Sequence, residues 1–286
     1  MKISEILNKS VSQISNNIGI SDSASYIEAE HLILKVLKTN RSSLYIDPER
    51  SLTIKEEKYF SILLKKRLKG KPLAQILGYQ DFYDDKFLIN DDVLIPRSET
   101  ELILPEIIKY GDSISSNNSN FKIVDAGSGS GCIGLSLAKK RLKWNVICIE
   151  NCFKAIKILN LNIKNLKLEN VSVLQSDWLS SLRDESIDII ISNPPYIETD
   201  SQEIDDNVKN FEPSHALYAG KNGLKSILKI IQQSRRVLKK NGYLFLENGF
   251  NQSKQVTQIL CKYNFKDINV LLDYNNIQRF TVSQRY

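Results

Sequence analysis

Cysteine and histidine are scarce in this sequence, and with them the side chains from which most metal sites, disulfide frameworks and catalytic triads are built. The 286 residues contain four cysteines, Cys132, Cys148, Cys152 and Cys261, and two histidines, His31 and His215. The cysteines show neither a CxxC pair nor metal-ligand spacing, and neither histidine has a spaced carboxylate or cysteine nearby. We therefore expect reduced thiols, no metal site and no histidine-based triad.

Long apolar runs are also absent. No segment approaches the length needed to span a membrane, and the first ten residues, MKISEILNKS, have no apolar signal core. The hydrophobic fraction of 42% and the charged fraction of 25% are typical of a globular protein. We therefore expect a cytoplasmic protein that does not interact with membranes, large enough for one α/β domain and a smaller one.

The charge balance is only moderately basic. The chain carries 39 Lys and Arg against 33 Asp and Glu, a net charge of +6. This charge fits a nucleic-acid partner weakly, because the lysines are spread along the chain and many lie on predicted exposed helix faces. Charge alone does not decide the function.

Residues 1 to about 75 have helical periodicity. Apolar residues recur at three-to-four spacing from Ile3 to Ile18, and a second helix is predicted over Ala24–Leu37. A third helix should begin near Thr53, which can form a capping box with Glu56, and should end at Gly70. The side chains expected to point inward from it are Tyr59, Phe60, Leu63 and Leu64.

Alternation replaces helical periodicity between residues 78 and 96. Phe82 and Phe87 flank an acidic turn, which predicts a β-hairpin. A helix should follow Ser98, although Pro105 should interrupt or kink it. Residues 111–120, GDSISSNNSN, are expected to form a polar, flexible loop.

Short apolar strands then alternate with helical segments, which predicts a parallel sheet covered by helices on both faces. The helices are expected near 132–141, 152–164 and 223–239. The strands are FKIVDAG, WNVICIE, VSVLQSD, IDIIISN and GYLFLEN. The last segment, FKDINVLLDYNNIQRFTVSQR, should add two antiparallel strands. The fold class is therefore α/β, with a small helical N-terminal domain.

A glycine loop, VDAGSGSG, follows the first strand of the predicted sheet. Gly127, Gly129 and Gly131 allow the backbone to turn tightly and to approach a ligand. Asp125 precedes the loop and would repel a pyrophosphate, whereas it suits a ligand with a cationic amino-acid end, such as S-adenosylmethionine. Glycine loops also occur in many simple turns, so this loop alone is weak evidence for a cofactor.

Two further strand ends strengthen this prediction. Glu150 ends the second strand, where a carboxylate can accept hydrogen bonds from both ribose hydroxyls. Trp178 follows the third strand and offers a flat face for a base. Each could instead be an ordinary exposed acid or a core aromatic, but three consecutive strand ends with these properties favour a cofactor site.

The fourth strand ends in the sequence Asn193-Pro194-Pro195-Tyr196. The prolines contribute carbonyl groups but no N–H, so the segment is stiff and rich in acceptors. Asn193 Oδ1 and the Pro194 carbonyl could hold both hydrogens of a planar amino group, and Tyr196 could stack on it. Such a grip would turn the nitrogen lone pair toward a sulfonium methyl group. The predicted reaction is methylation of an amide or an aromatic amine.

With these motifs, the chain resembles the protein-glutamine N5-methyltransferases that modify the GGQ glutamine of class-I peptide chain release factors. The segments that carry the resemblance span nearly the whole chain and occur in the family's order. They are KPLAQILGYQDFY, VLIPRSETE, DAGSGSGCIGLSLA, SNPPYI, EPSHALYAGKNGL and LFLENGFNQ.

The resemblance implies a helical substrate-docking domain (1–76), a β-hairpin linker (77–97) and a seven-stranded, Rossmann-like class I methyltransferase domain (98–286). It implies a monomer whose macromolecular partner is a release factor. The implied cofactor contacts are Asp125, Gly127, Ser128, Gly129, Ser130, Gly131, Glu150, Trp178 and Asn193, and the implied glutamine contacts are Asn193, Pro194, Pro195 and Tyr196. Among the glutamine contacts, Asn193, Pro194 and Tyr196 are the implied catalytic residues.

Three positions depart from the family pattern. Glu150 stands where the family usually has Asp, Ser98 replaces a proline of IPRPETE, and Asn248 stands where an apolar residue is common. The longer Glu150 side chain should shift the geometry at the ribose, and the loss of proline at Ser98 removes a rigid element.

Because the tetrapeptide recognises an amino group and not the molecule that carries it, other activities stay open. An adenine-N6 or guanine-N2 methyltransferase would use the same residues, with its target base flipped out or unpaired. A ribosomal-protein glutamine methyltransferase is a nearer alternative, which would differ mainly in the N-terminal domain. A non-catalytic binding protein is disfavoured, because the tetrapeptide and the glycine loop are both intact.

Overall fold

The computed structural model describes residues 1–47, 49–115, 120–201 and 204–286. Its helices are α1 (Ile3–Ile18), α2 (Asp22–Leu37), α3 (Arg41–Ile46), α4 (Ile54–Leu68), α5 (Leu73–Leu77), α6 (Ile103–Ser115), α7 (Cys132–Lys140), α8 (Phe153–Leu166), α9 (Asp206–Phe211), α10 (Ser214–Leu217), α11 (Lys225–Val237) and α12 (Ser253–Lys262). Its strands are β1 (Tyr79–Phe82), β2 (Asp85–Leu88), β3 (Lys122–Ala126), β4 (Asn145–Glu150), β5 (Val171–Gln175), β6 (Ile187–Ser192), β7 (Leu238–Glu247), β8 (Phe265–Leu272) and β9 (Gln278–Arg285).

Residues 1–79 and 206–211 form one compact helical unit. Its core contains Ile14, Leu32, Ile33 and Phe60, contributed by α1, α2 and α4. The three helices predicted from periodicity are confirmed. The short helices α3, α5 and α9 were not predicted, because segments of five or six residues are too short to show a helical period.

The start of α4 follows the predicted capping box. The Glu56 amide donates to Thr53 Oγ1 at 3.3 Å, and the Thr53 amide donates to Glu56 Oε2 at 2.8 Å. The prediction that Tyr59 points inward is wrong, since 40% of this residue is exposed. Consecutive helical residues are about 100° apart, and Phe60 and Leu63 define the buried face.

The second compact unit comprises residues 80–205 and 212–286. It contains a seven-stranded sheet with the order β5-β4-β3-β6-β7-β9-β8, in which only the pairs β7–β9 and β8–β9 are antiparallel. This arrangement confirms the predicted parallel sheet with an antiparallel end. Strand β6 pairs with β3 on one side and β7 on the other, and all six of its residues are buried.

Helices cover both faces of this sheet because alternate strand residues point to opposite sides. Ile123 faces the core formed with α6, α7 and α8, while Val124 faces the core formed with α11 and α12. The predicted β-hairpin is present, and the rings of Phe82 and Phe87 pack edge to face at 6.0 Å inside the first of these cores.

Helix α6 corrects two predictions. A 3₁₀ helix spans Ser98–Leu102, and α6 then begins at Ile103, so that Pro105 lies in its first turn, where no intrahelical N–H bond is needed. Pro105 therefore does not interrupt the helix. The helix also continues through Gly111 to Ser115, inside the segment predicted to be a loop. Residues 116–119 of that predicted loop lie outside the described residues.

Gly111 lies in α6, where its lack of a side chain leaves room for a neighbouring ring. A Cβ atom at this position would lie 2.3 Å from Cη2 of the buried Trp144. No helix in the described ranges is both long and apolar enough to cross a membrane.

We predict that Gly111→Ala destabilises the protein by about 1–3 kcal/mol, because overpacking against Trp144 must displace a buried ring. In an open helix the same change would instead stabilise by roughly 0.5–1 kcal/mol. Urea denaturation should show a lower midpoint for this variant. Ser113→Ala, at an exposed position of the same helix, is the control and should leave the midpoint nearly unchanged. A midpoint at or above the wild-type value in Gly111→Ala would contradict the steric explanation.

Candidate active site

A cavity lies at the carboxyl edge of the sheet, beside the point between β3 and β6 where the strand order reverses. Open α/β sheets bind ligands at this place. Segments that follow β3, β4, β5 and β6 line the cavity, together with residues that precede α6. Of the residues implied as cofactor or substrate contacts, those that line it are Gly127, Ser128, Gly129, Ser130, Glu150, Trp178, Asn193 and Pro195.

The glycine loop takes a conformation that needs glycine. Gly127, Gly129 and Gly131 have φ values of +77°, +54° and +85°. A Cβ at Gly127 would lie 2.8 Å from the Trp178 ring, and one at Gly131 would lie 2.4 Å from Leu159 Cδ1. At Gly129, by contrast, a Cβ would meet nothing within 4 Å. Two of the glycines therefore allow close packing, and the third leaves the backbone open to a ligand.

Glu150 braces this loop from the end of β4. Its Oε2 accepts a hydrogen bond from the Gly129 amide at 2.9 Å, and its Oε1 accepts from the Asn151 and Cys152 amides, each at 2.8 Å. The carboxylate thus joins the glycine loop to the segment that enters α8. It also lines the cavity, where a remaining lone pair can accept a ligand hydroxyl.

Asp125 lies beneath the loop and is not among the described residues that line the cavity. Its side chain is buried, and Oδ2 accepts a hydrogen bond from the Gly134 amide in the first turn of α7 at 2.8 Å. Burial raises the pKa of Asp125 to about 7. The structure therefore shows Asp125 as a support for the helix, and its predicted contact with the cofactor stays a prediction.

Trp178 lies against the glycine loop, three residues beyond the end of β5. Its backbone is left-handed, with φ of 55°, and its ring packs on Gly127 while also lining the cavity. The preceding residue, Asp177, forms an ion pair with Lys229 of α11. The ring thus lies between Gly127 and the cavity, in the position where a flat face was predicted.

Asn193 stands at the end of β6 with its amide nitrogen engaged. Nδ2 donates to Thr100 Oγ1 at 3.3 Å. Within the part of the chain that the structure describes, no protein group donates to Asn193 Oδ1. The neighbouring Ser192 hydroxyl donates to the Ala126 carbonyl at 2.6 Å, which ties the end of β6 to the end of β3. The acceptor oxygen of Asn193 is therefore the atom left for a ligand.

The rest of the tetrapeptide is arranged differently from the prediction. Pro195 lines the cavity, whereas Pro194 is buried and Tyr196 is not among the described lining residues. The Tyr196 hydroxyl donates to Glu247 Oε1 at 3.3 Å, and burial raises the pKa of the phenol above its ordinary value. The structure thus shows Tyr196 as an anchor of the segment, and its stacking role stays a prediction.

Distant segments hold the tetrapeptide in place. Gln252 Nε2 donates to the Tyr196 carbonyl at 2.9 Å, and the Ala219 amide donates to the Ile197 carbonyl at 2.8 Å. At Gly223 a Cβ would lie 2.2 Å from the Tyr196 carbonyl oxygen, so only glycine fits there. These residues belong to the segments EPSHALYAGKNGL and LFLENGFNQ.

Several residues at the site were not singled out from the sequence. Thr100, Arg97 and His215 line the cavity. Arg97 forms an ion pair at 2.6 Å with the buried Glu212, whose other oxygen accepts from the Ile95 amide at 3.1 Å. In the sequence, these residues could have been suspected only because they lie in the segments that carry the family resemblance. Periodicity could not find these residues, because Arg97 lies in irregular chain and Thr100 and His215 lie in helices of only five and four residues.

Glu247 is the clearest of the residues that were missed. It ends β7 as Glu150 ends β4, and its side chain is buried. Its Oε2 accepts from the Thr100 hydroxyl at 2.7 Å. Burial raises the pKa of Glu247 to about 7, an effect opposed by the Thr100 hydrogen bond and by the charge of Arg279.

Two family models match the chain, one in its N-terminal part and one in its central part. Residues 9–78 match the PrmC N-terminal domain, and residues 112–217 match the methyltransferase small domain. Among solved structures, the hMettl16 catalytic domain in complex with the MAT2A 3'UTR hairpin 6 has a TM-score of 0.54 at 15% identity. That match covers 79% of this chain and 82% of the other. It supports the fold alone.

Sequence relatives cover nearly the whole chain. The release factor glutamine methyltransferase of Shewanella oneidensis is 33% identical over 93% of this chain and 92% of its own length. The enzyme of the same name from Buchnera aphidicola subsp. Schizaphis graminum is 36% identical (90% and 92%), and that of Escherichia coli is 30% identical (91% and 92%). With this identity over almost all of both chains, the protein belongs to the family of release factor glutamine methyltransferases.

Proposed function

We propose that this enzyme transfers a methyl group from S-adenosyl-L-methionine to the side-chain N5 of the GGQ glutamine in class-I peptide chain release factors. The observation that carries the proposal is the arrangement of Asn193. Its Nδ2 is engaged by Thr100, and its Oδ1 remains as an acceptor at the cavity. An acceptor held in place at this edge of the sheet suits a substrate that donates N–H bonds.

The residues of the glycine loop fit the cofactor. Gly129 leaves open space on the cavity side, and Glu150 offers a carboxylate at the position where ribose hydroxyls bind in related sheets. Trp178 provides an apolar face for an adenine base. S-adenosylmethionine, when bound, supplies an electrophilic methyl group on a positively charged sulfur.

Asn193 and the prolines prepare the substrate nitrogen. An amide nitrogen is a poor nucleophile because its lone pair is delocalised into the carbonyl group. Asn193 Oδ1 and the Pro194 carbonyl are proposed to accept its two N–H bonds, which fixes the direction of the lone pair. The hydrogen bonds that fix the tetrapeptide backbone keep these acceptors from moving, so the geometry exists before the substrate arrives.

The helical unit is proposed to dock the release factor, with 1–76 as the docking domain, 77–97 as the linker and 98–286 as the catalytic domain. Residues 1–79 contain 13 Lys and Arg against 8 Asp and Glu, so this part of the chain carries most of the net positive charge. Cytoplasmic location and a monomeric state, both predicted from the sequence, stay predictions.

One face of α4 is suited to this docking role. Its members, which we call the lysine face, are the exposed Lys55, Lys58, Lys65 and Lys66, together with the exposed C-cap residue Lys69. None of the five pairs with an acid among the described residues. Tyr59 and Ile62 lie between them and are 40% and 46% exposed. Apolar side chains surrounded by unpaired cations match a partner surface that is acidic at its rim.

Replacing Glu150 should weaken the cofactor. Glu150→Ala removes both the ribose acceptor and the brace on Gly129, and we expect a loss of about 1.5–3 kcal/mol in binding of S-adenosylhomocysteine, measured by calorimetry. Glu169→Ala, at an exposed acid of the same unit, is the control. Equal affinity for Glu150→Ala and wild type would remove Glu150 from the ribose site.

Substitutions of Asn193 should reduce methyl transfer without unfolding the protein. We expect Asn193→Ala to keep its thermal stability and to lose about 100-fold in methyl transfer, because a reacting group misplaced by an ångström can cost that much. Asn193→Asp should retain cofactor binding and lose most of its turnover, since the carboxylate accepts but cannot donate to Thr100 in the same way.

The assay uses labelled cofactor and three acceptors: a release factor, the same factor with its GGQ glutamine replaced, and nucleic acid. Label in the intact factor alone supports the proposed function. Label in nucleic acid, or in the replaced factor, contradicts it. Wild-type rates in both Asn193 variants would show that Asn193 does not grip the substrate.

The lysine face should act on substrate recognition alone. The double variant Lys58→Glu/Lys66→Glu should raise KM for the release factor by about tenfold and leave kcat and cofactor affinity unchanged, with an effect that shrinks at high salt. The control is Lys164→Glu/Lys254→Glu, which makes the same charge change at exposed positions of the catalytic unit. Equal effects in the two doubles would mean that total charge, and not this face, guides binding.

A further inference from the structure

Two buried polar side chains, Thr100 and Glu247, are connected to Asn193 by consecutive hydrogen bonds. Thr100 is 2% exposed and Glu247 is 4% exposed. The Thr100 hydroxyl contacts both neighbours, Glu247 Oε2 at 2.7 Å and Asn193 Nδ2 at 3.3 Å. They come from two elements far apart in the sequence, the 3₁₀ helix before α6 and the end of β7. The three side chains therefore form a short hydrogen-bonded chain that ends at the cavity.

The direction of this chain follows from the hydrogen count. An ionised carboxylate can only accept, so the single Thr100 hydroxyl hydrogen must go to Glu247. Thr100 then has only lone pairs to offer to Asn193. The Asn193 side chain must meet it with its NH₂ group, and its carbonyl oxygen is left for another partner.

We propose that Thr100 and Glu247 are positioning residues for methyl transfer, which hold the Asn193 amide in the one orientation that presents Oδ1 to the substrate amide. The inference deepens the proposed function, since it assumes that Asn193 Oδ1 accepts a substrate N–H. An amide rotated by 180° would present NH₂ to the substrate, and two N–H groups facing each other cannot bond.

A purely structural role for Glu247 explains this arrangement less well than a role in positioning Asn193. A buried carboxylate is costly unless its bonds offset the desolvation, and an apolar residue at the end of β7 would avoid that cost. Glu247 has only two described hydrogen-bond donors, Thr100 and the Tyr196 hydroxyl at 3.3 Å. Both lead to the tetrapeptide, one through Asn193 and the other through Tyr196 itself. The described side-chain hydrogen bonds of Glu247 therefore stabilise the tetrapeptide and not the strands of the sheet.

Protonation of Glu247 should release the constraint. The acid form carries a hydrogen and can donate to Thr100, which can then donate to Asn193 Oδ1 and stabilise the rotated amide. The ionisable groups that act electrostatically with Glu247 are Glu99 beside Thr100, Tyr196 of the tetrapeptide, Arg279 of β9 and Cys132 of α7.

Since burial raises the pKa of Glu247 to about 7, the carboxylate is present above that pH and is lost below it. The productive orientation of Asn193 should therefore be lost as pH falls through 7.

The first test uses three variants and steady-state kinetics with the release factor. Thr100→Val keeps the shape and removes the hydroxyl, and kcat should fall at least about tenfold while cofactor affinity and KM stay within about twofold. Thr100→Ser restores the hydroxyl and should restore most of the rate. Ser98→Ala, at an exposed hydroxyl of the same 3₁₀ helix, is the control. Wild-type kcat in Thr100→Val, or equal losses in the Val and Ser variants, would overturn the proposal.

The second test follows the response to pH in two ways, through kcat with the release factor and through amide signals that need no substrate. Glu247→Gln cannot ionise, so the fall in kcat at acidic pH should disappear. In ¹⁵N-labelled wild-type protein, the side-chain NH₂ signals of Asn193, assigned through their absence in Asn193→Asp, should shift as pH crosses about 7. They should not shift in Glu247→Gln.

Asn193 signals that do not respond to pH in the wild type, or that respond equally in Glu247→Gln, would overturn the proposal even if Thr100→Val fails to fold. Failure of the wild type to methylate a release factor would instead overturn the proposed function and leave the amide signals as the deciding measurement for the positioning role.

Discussion

The site depends on the pairing of β6 with β3 in the middle of the sheet. This pairing sets Ile190 opposite Val124 and Ile191 opposite Asp125, so both strands deliver their carboxyl ends to the same crevice. The Ser192 hydroxyl fastens the two ends through the Ala126 carbonyl. Every residue of β6 is buried, and a slip in register would misplace the whole strand against its neighbours. The glycine loop and Asn193 are thus brought together by burial of apolar residues that have no chemical role.

Two of the buried carboxylates around this apolar centre are Asp125 and Glu247. Burial raises the pKa of each to about 7, which means that folding favours their protonated forms and that their ionisation costs stability as pH rises above the unfolded values near 4. Each lies at the end of a strand beneath the cavity, where Asp125 supports the start of α7 and Glu247 supports the tetrapeptide. The two groups whose ionisation costs stability therefore both support segments that form the site.

The sequence predicted the sheet and its strand ends well because each strand is a short apolar run and each end carries a distinctive residue. It could place Glu150, Trp178 and Asn193 at one edge, since parallel strands share a carboxyl edge. It could not predict that Glu150 would also reach the Gly129 amide, because the reach depends on how the loop folds. The inward prediction for Tyr59 and the loop at Gly111 failed for a similar reason. The local sequence pattern does not show which face of a helix packs against the core, or that the Trp144 ring occupies the space beside Gly111.

Three of the residues that the sequence did not reveal, Thr100, Glu247 and Gln252, have one property in common: each makes a hydrogen bond to another residue of the site. Thr100 accepts from Asn193, Glu247 accepts from Thr100 and Tyr196, and Gln252 donates to the Tyr196 carbonyl. A residue that touches the substrate can be suspected from its chemistry alone, whereas a residue that orients it is recognised only from distances. Three of the segments that carry the family resemblance, VLIPRSETE, EPSHALYAGKNGL and LFLENGFNQ, lie far apart along the chain and each contributes a residue that lies against the tetrapeptide. In these three segments the shared residues constrain the conformation of one tetrapeptide. In the proposed mechanism, selection of a planar amino group depends on how firmly Asn193 is held, and therefore on hydrogen bonds that the substrate does not contact.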